Sequence, residues 1–131
     1  MVKVLDAYAL LAFFEKEPGY EKVQAAFVNA VEMNLFLLIT TINLGEIYYI
    51  VERECGQKKA EEIEVIIRTL PIEIIDVDII ITKQAARFKA RYKISYADCF
   101  AAALTKIRKG ELLTGDREFE MLKDEIKINW L

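Results

Sequence analysis

Apolar positions along the chain switch between strand-length runs and helical spacing. "VKVLD" opens as a short β-branched strand that ends in an acid. Residues 7–16 look helical, and Pro18-Gly19 marks a turn. Val23, Phe27, Ala30 and Val31 then recur at helical spacing. "LFLLIT" (35–40) is a continuous apolar run of strand length. In "NLGEIYYIVERE", Ile47, Ile50 and Val51 share one helical face, and Gly56 breaks that helix. The next helix carries Ile63, Ile66, Ile67 and Leu70 and stops at Pro71. "IEIIDV" (72–77) is a third strand, followed by a helix from Asp78 to Tyr92 with Ile81, Ala85 and Phe88 inward. "YADCFAAALTKIRKG" is another helix, closed by Gly110 in the usual C-terminal glycine role. "ELLT" (111–114), the short helix "DREFEML" and "IKINWL" complete the pattern. Short strands alternating with helices predict an α/β class of three layers, a parallel sheet covered on both faces. Crossovers should be right-handed.

Length changes little in this picture: 131 residues fit one domain spanning 1–131. Absences change more. There is no histidine, which removes Ser-His-Asp triads, imidazole bases and His-ligated zinc. The five glycines stand apart, at 19, 45, 56, 110 and 115, so no P-loop or dinucleotide fingerprint exists. Catalysis must therefore use carboxylates, hydroxyls, lysines or a metal. Cys55 and Cys99 have no metal-ligand spacing and read as buried free thiols, with a disulfide still open. No apolar stretch reaches the ~18 residues of a membrane span, and the N-terminus does not read as a signal peptide, so a cytoplasmic protein is expected.

The net charge of −3 argues mildly against nonspecific nucleic-acid binding. Its distribution is uneven. "KQAARFKARYK" (83–93) holds five basic residues with Phe88 and Tyr92 interleaved, and "KIRKG" (106–110) adds three. A solvated helix face explains both runs at least as well as a polyanion partner does.

Acids stand at four junctions of the pattern. Asp6 ends the first strand, Glu46 starts the helix after the second, and Asp98 starts the helix that feeds the fourth. Asp116 follows the fourth strand in "LLTGDREF". Each has a plain explanation as a cap: Asp6 and Asp116 as N-caps, Asn43-x-x-Glu46 and Ser95-x-x-Asp98 as capping boxes. A negative charge at a helix N-terminus is worth ~0.3–1 kcal/mol without any function. Jointly they imply more, because helix N-termini that follow strands open on one edge of an α/β sheet, where ligands bind. Asp98 fits least well, since no strand directly precedes it. Carboxylates meeting there would repel, and an all-oxygen set suits Mg²⁺ or Mn²⁺.

The segments "VLDAYALLAFF", "NLGEIYY", "SYADCFAAAL" and "LLTGDREF", in this order across the chain, resemble the PIN-domain nucleases, particularly the VapC-type ribonuclease toxins. The resemblance implies a five-stranded parallel sheet of order 3-2-1-4-5. It implies that Asp6, Glu46, Asp98 and Asp116 hold Mg²⁺, with Mn²⁺ as a substitute, for hydrolysis of RNA phosphodiesters to 5′-phosphate and 3′-hydroxyl products. It also implies a homodimer and a small antitoxin partner whose C-terminal tail plugs the groove. Apolar weight on outer helices, in "FFEKEPGYEKVQAAF" and "EIYYIVERE", puts Tyr48 or Tyr49 near the dimer contact. One departure stands out: the family commonly carries Ser or Thr two residues after the first Asp, and here Tyr8 stands there.

Two rival readings remain. A non-catalytic scaffold of the same fold would bind partners only, although it has no need of four mutually repelling acids. A phospho-accepting receiver domain would use "IIDVD" (74–78), with Asp76 at the end of the third strand. That reading lacks an acidic pair after strand one and a clear lysine at the end of strand five.

Overall fold

The computed structural model describes residues 1–131. Five strands, Lys3–Leu5 (β1), Leu37–Thr40 (β2), Ile72–Ile75 (β3), Glu111–Thr114 (β4) and Lys127–Trp130 (β5), form one sheet. All pairs are parallel and the order is β3-β2-β1-β4-β5. Six helices connect them: α1 (Ala7–Glu15), α2 (Tyr20–Met33), α3 (Thr41–Cys55), α4 (Gln57–Thr69), α5 (Ile79–Arg91) and α6 (Tyr96–Ile107). A 3₁₀ turn at Arg117–Leu122 stands where the sequence predicts a short helix.

Both faces of the sheet are covered, which is why its central strands read as unbroken apolar runs. Leu5, Leu37, Ile39 and Leu113 point into one core with Leu10, Val23, Phe27, Ile47, Ile63 and Ile67. Val4, Leu38 and Leu112 point into the other with Phe88, Ile94, Phe100, Leu104 and Phe119. The three-layer α/β/α architecture follows. Pairing of Leu5 with Leu113 brings the carboxyl ends of β1 and β4 side by side. This is where the sequence numbering of the strands reverses direction across the sheet, the usual ligand-binding crevice of open α/β folds.

Several boundaries move. β2 begins at Leu37, so Leu35 and Phe36 lie outside it and are exposed. Val31 and Ile66 are exposed as well. The buried stripes are narrower than the apolar spacing suggests, using Ala26 in α2 and Ala60 in α4 instead. Gly110 does not terminate α6 in a left-handed conformation; Lys109 does, at φ 52°. Gly110 answers a different need, since a Cβ there would collide with the carbonyl oxygen of Val2. Cys55 is exposed, not buried, and both cysteines are free.

The strand order removes the receiver reading. A receiver-type fold has order 2-1-3-4-5 with its third strand beside the first, whereas here β3 is an edge strand. Asp76 is exposed, and Asp78 caps α5 by accepting from the Ile81 N–H at 2.9 Å. The aromatics of the basic run are also structural: Phe88 is in the core, and the Tyr92 hydroxyl donates to Glu125 at 3.1 Å. No helix is long and apolar enough to cross a membrane.

Candidate metal centre

Asp6 follows β1 directly and is both a helix cap and part of the sheet edge. Its Oδ1 accepts from the Ala9 N–H at 2.9 Å, and its Oδ2 accepts from the Thr114 hydroxyl at 2.5 Å. The side chain is almost fully buried. Burial pushes its carboxyl up to about 7, against the two hydrogen bonds, and the charges of Asp116 and Glu46 add to the rise.

The cap of α3 is not where the sequence places it. Thr40, the last residue of β2, is the N-cap, and its Oγ1 accepts from the Asn43 N–H at 3.1 Å. Strand passes into helix with no loop between. Asn43 therefore sits inside the first turn, and Glu46 belongs to the second turn, not to a capping box. The Asn43 side chain serves as a tie instead. Its Oδ1 accepts from the Thr40 hydroxyl at 2.6 Å and its Nδ2 donates to the Ala97 carbonyl at 3.1 Å. The second bond joins the start of α6 to the start of α3. Glu46 Oε1 is buried without any hydrogen-bond partner. Burial raises its carboxyl above the ordinary range, Asn43 opposes this, and the Asp116 charge adds to it.

Asp98 is half of a capping box at most. Ser95 caps α6 through its Oγ, which accepts from the Asp98 N–H at 3.3 Å. The reciprocal bond is absent, because the Ser95 N–H donates to Glu118 Oε1 at 3.2 Å. The Asp98 carboxylate is thus released from capping while being buried. Burial pushes it up to about 8; the Ser95 hydroxyl opposes, and the charges of Asp116, Asp6 and Glu46 add. Asp116 caps the 3₁₀ turn, accepting from the Glu118 N–H at 3.0 Å.

All four acids named from the sequence therefore lie at one edge of the sheet and repel one another. The tightest grouping includes a residue that sequence reasoning misses. Oxygens of Asp98, Asp116 and Glu118 lie within 4.8 Å of one another. The signal for Glu118 is the spacing in "GDREFE": a tight turn after Asp116 returns position 118 toward the strand ends. Buried and half-buried carboxylates of like charge, with one buried oxygen of Glu46 orphaned, are costly without a counter-charge. A hard divalent cation with oxygen ligands fits this donor set, and the lack of Cys or His among the donors argues against zinc.

The sequence matches the PIN-domain family model over residues 3–125, and the chain belongs to the PIN-domain family. No curated protein matches the sequence. Similar solved folds include VapBC from Salmonella typhimurium, crystallised with DNA, at TM-score 0.78 and 18% identity over 98% of this chain and 97% of that one. VapBC2 from Rickettsia felis, bound to a promoter DNA fragment, has TM-score 0.77 and 16% identity over 100% and 99%. VapC20 from Mycobacterium tuberculosis, described as a Sarcin-Ricin loop cleaving toxin, has TM-score 0.69 and 14% identity over 91% and 93%.

Proposed function

We propose that this chain, a single domain over residues 1–131, is a metal-dependent endoribonuclease and the toxin of a toxin–antitoxin pair. The observation that carries the reading is the set of mutually repelling carboxylates at the β1–β4 edge, Asp6 and Asp98 buried and Glu46 and Asp116 half-buried. Asp6, Glu46, Asp98 and Asp116 would hold Mg²⁺, or Mn²⁺ in its place. When bound, the cation would neutralise these acids, attract a phosphodiester and make water a better nucleophile near neutral pH.

The protein's own part is to hold the carboxylates still. Thr114 fixes Asp6 by hydrogen bonding its Oδ2, and β4–β5 pairing with Trp130 fixes Thr114 in turn. Asn43 locks the first turns of α3 and α6 together, so Glu46 and Asp98 keep their relative placement. Glu118 occupies the Ser95 N–H, which leaves the Asp98 carboxylate free of that capping bond and close to Asp116. Membership of the PIN family and the likeness to a Sarcin-Ricin loop cleaving toxin support the reading.

Purified protein is expected to cut single-stranded RNA with Mg²⁺ or Mn²⁺ and to stop on addition of EDTA. Undiminished cutting in chelator would overturn the metal mechanism. No cutting of any RNA pool would favour the non-catalytic scaffold.

An antitoxin partner is part of this proposal, since a toxin–antitoxin complex from Klebsiella pneumoniae is among the similar folds. A cytoplasmic setting goes with an RNA substrate. We also propose a homodimer, because Tyr49, Val28 and Val31 leave apolar surface on the outer helices. Of the two tyrosines considered for the contact, Tyr49 is exposed while Tyr48 packs partly against the core. Light scattering at micromolar concentration should give about twice the 15.1 kDa chain mass; the chain mass itself would refute the dimer.

A further inference from the structure

We infer that Tyr8 is a stacking platform that seats one nucleobase of single-stranded RNA beside the carboxylate cluster. The inference rests on the ribonuclease reading above.

Tyr8 lies in the first turn of α1, two residues after Asp6. Its neighbours Ala7, Ala9 and Leu10 are buried, but the Tyr8 side chain remains 43% exposed. One edge of its ring is pressed onto Gly115, between Thr114 and Asp116. A Cβ on Gly115 would overlap Cε1 of Tyr8 and come within 2.9 Å of Cζ and 3.1 Å of Cδ1. Gly115 does not have a positive φ, unlike Gly19 and Gly56. Its backbone would therefore accept a side chain, and the constraint that excludes one is the tyrosine ring. The ring is thus held by the same loop that carries Asp116, with much of its surface left to solvent.

That position matters because this edge of the sheet is acidic. Asp98, Asp116 and Glu118 crowd together there, and the chain carries a net charge of −3. Basic residues are therefore a weak means of holding RNA here, whereas base–aromatic stacking needs no positive charge and tolerates any sequence. Other aromatics around this edge are engaged: Trp130, paired with Thr114, is covered by the Arg117 guanidinium at 4.3 Å. Phe88 is in the core, and Tyr92 is engaged by Glu125. Tyr96 packs edge-on against Phe100, with ring centroids 4.8 Å apart, and lies roughly 200° around α6 from Asp98. A ring set against the loop that carries Asp116 can fix the register of the strand that enters, which is a positioning role.

The test is steady-state cleavage of a single-stranded RNA oligonucleotide in Mg²⁺, with an abasic nucleotide scanned through the positions around the cut. Tyr8→Ala should raise KM by about tenfold and change kcat by less than about twofold, while Tyr8→Phe restores the wild-type KM. One abasic position should raise the wild-type KM by a similar factor, and Tyr8→Ala should add nothing on that substrate. Mg²⁺ should raise the Tm of Tyr8→Ala as much as that of the wild type, since no carboxylate is touched. Should Tyr8→Ala fail to fold, Tyr8→Leu fills the gap without a π face and carries the comparison. A wild type that cuts RNA while KM is unchanged in Tyr8→Ala, or a Tyr8→Ala penalty that persists at every abasic position, overturns the platform alone. A wild type that neither binds nor cuts any RNA overturns the ribonuclease reading and the platform with it.

Discussion

Replacing Asp98 with Asn is expected to abolish RNA cleavage while leaving the metal-free protein as stable as wild type, or more so. The hydrogen bonds argue this directly. The Asp98 carboxylate does not return a bond to the Ser95 N–H, which is taken by Glu118. What capping exists runs from the Asp98 backbone to Ser95 Oγ, and the substitution leaves that bond in place. Loss of the charge therefore costs a dipole contribution of ~0.3–1 kcal/mol. Against this stands the cost of holding a buried acid among three others, which pushes Asp98 up to about 8. A single unit of such a rise is ~1.4 kcal/mol, already more than the dipole contribution. Burial of the charge, with repulsion added, outweighs the dipole contribution, so Tm in EDTA should hold or rise. Cleavage should fall by more than the ~10–100-fold that loss of an outer partner of a metal site costs. The stabilisation by Mg²⁺ should shrink in parallel. Thermal unfolding with and without Mg²⁺, beside a single-turnover cleavage assay, checks all three. A variant that melts lower in EDTA yet cuts at the wild-type rate would make Asp98 only a cap.

How Asp98 reaches the other acids also marks what local sequence pattern leaves undetermined. Asp6 and Asp116 are legible because each closely follows a strand, and parallel strands end together on one edge. Asp98 follows a helix, and no local pattern says where that helix begins relative to the sheet. Its placement depends on the Asn43–Ala97 hydrogen bond, between residues 54 apart in the chain, and on Glu118 turning back to Ser95. Both are products of packing. The expected cap of α3 fails for a related reason. "TTINLGE" offers several capping residues in a row, and strand–helix connections usually take two to six residues. Here Thr40 ends the strand and caps the helix at once, which shifts Asn43 into the first turn and Glu46 into the second. The strand order follows from the family resemblance, since periodicity fixes which segments are strands but not their neighbours. The apolar stripes of α2 and α4 read too wide because Val and Ile outweigh Ala in any hydrophobic pattern. Ala26 and Ala60 are the better fit against a close neighbour.

The metal-free protein should lose stability as pH rises from about 5 to about 8, and Mg²⁺ should restore most of what is lost. Asp6 is pushed up to about 7 and Asp98 to about 8, each from 3.8, chiefly by burial. Glu46 moves in the same direction. Below the ordinary carboxylate range both folded and unfolded chains hold these protons, and nothing is lost. Between about 4 and about 8 the folded protein binds more protons than the unfolded chain, so the unfolding free energy falls with rising pH. Above about 8 the acids are ionised in both states and the penalty is complete. The window is unusually clear, because the chain has no histidine to titrate within it. Glu125, held below its ordinary 4.5 by Lys106, acts in the opposite sense but on the acid side of this range. A divalent cation competes with the same protons, so its binding strengthens as pH rises. In EDTA, Tm should therefore drop by several degrees from about pH 5 to about pH 8, and the increment given by millimolar Mg²⁺ should grow over the same interval. Asp6→Asn with Asp98→Asn should flatten both trends. A metal-free Tm that rises across this window, or a Mg²⁺ increment independent of pH, would mean that these carboxylates do not share one cation site.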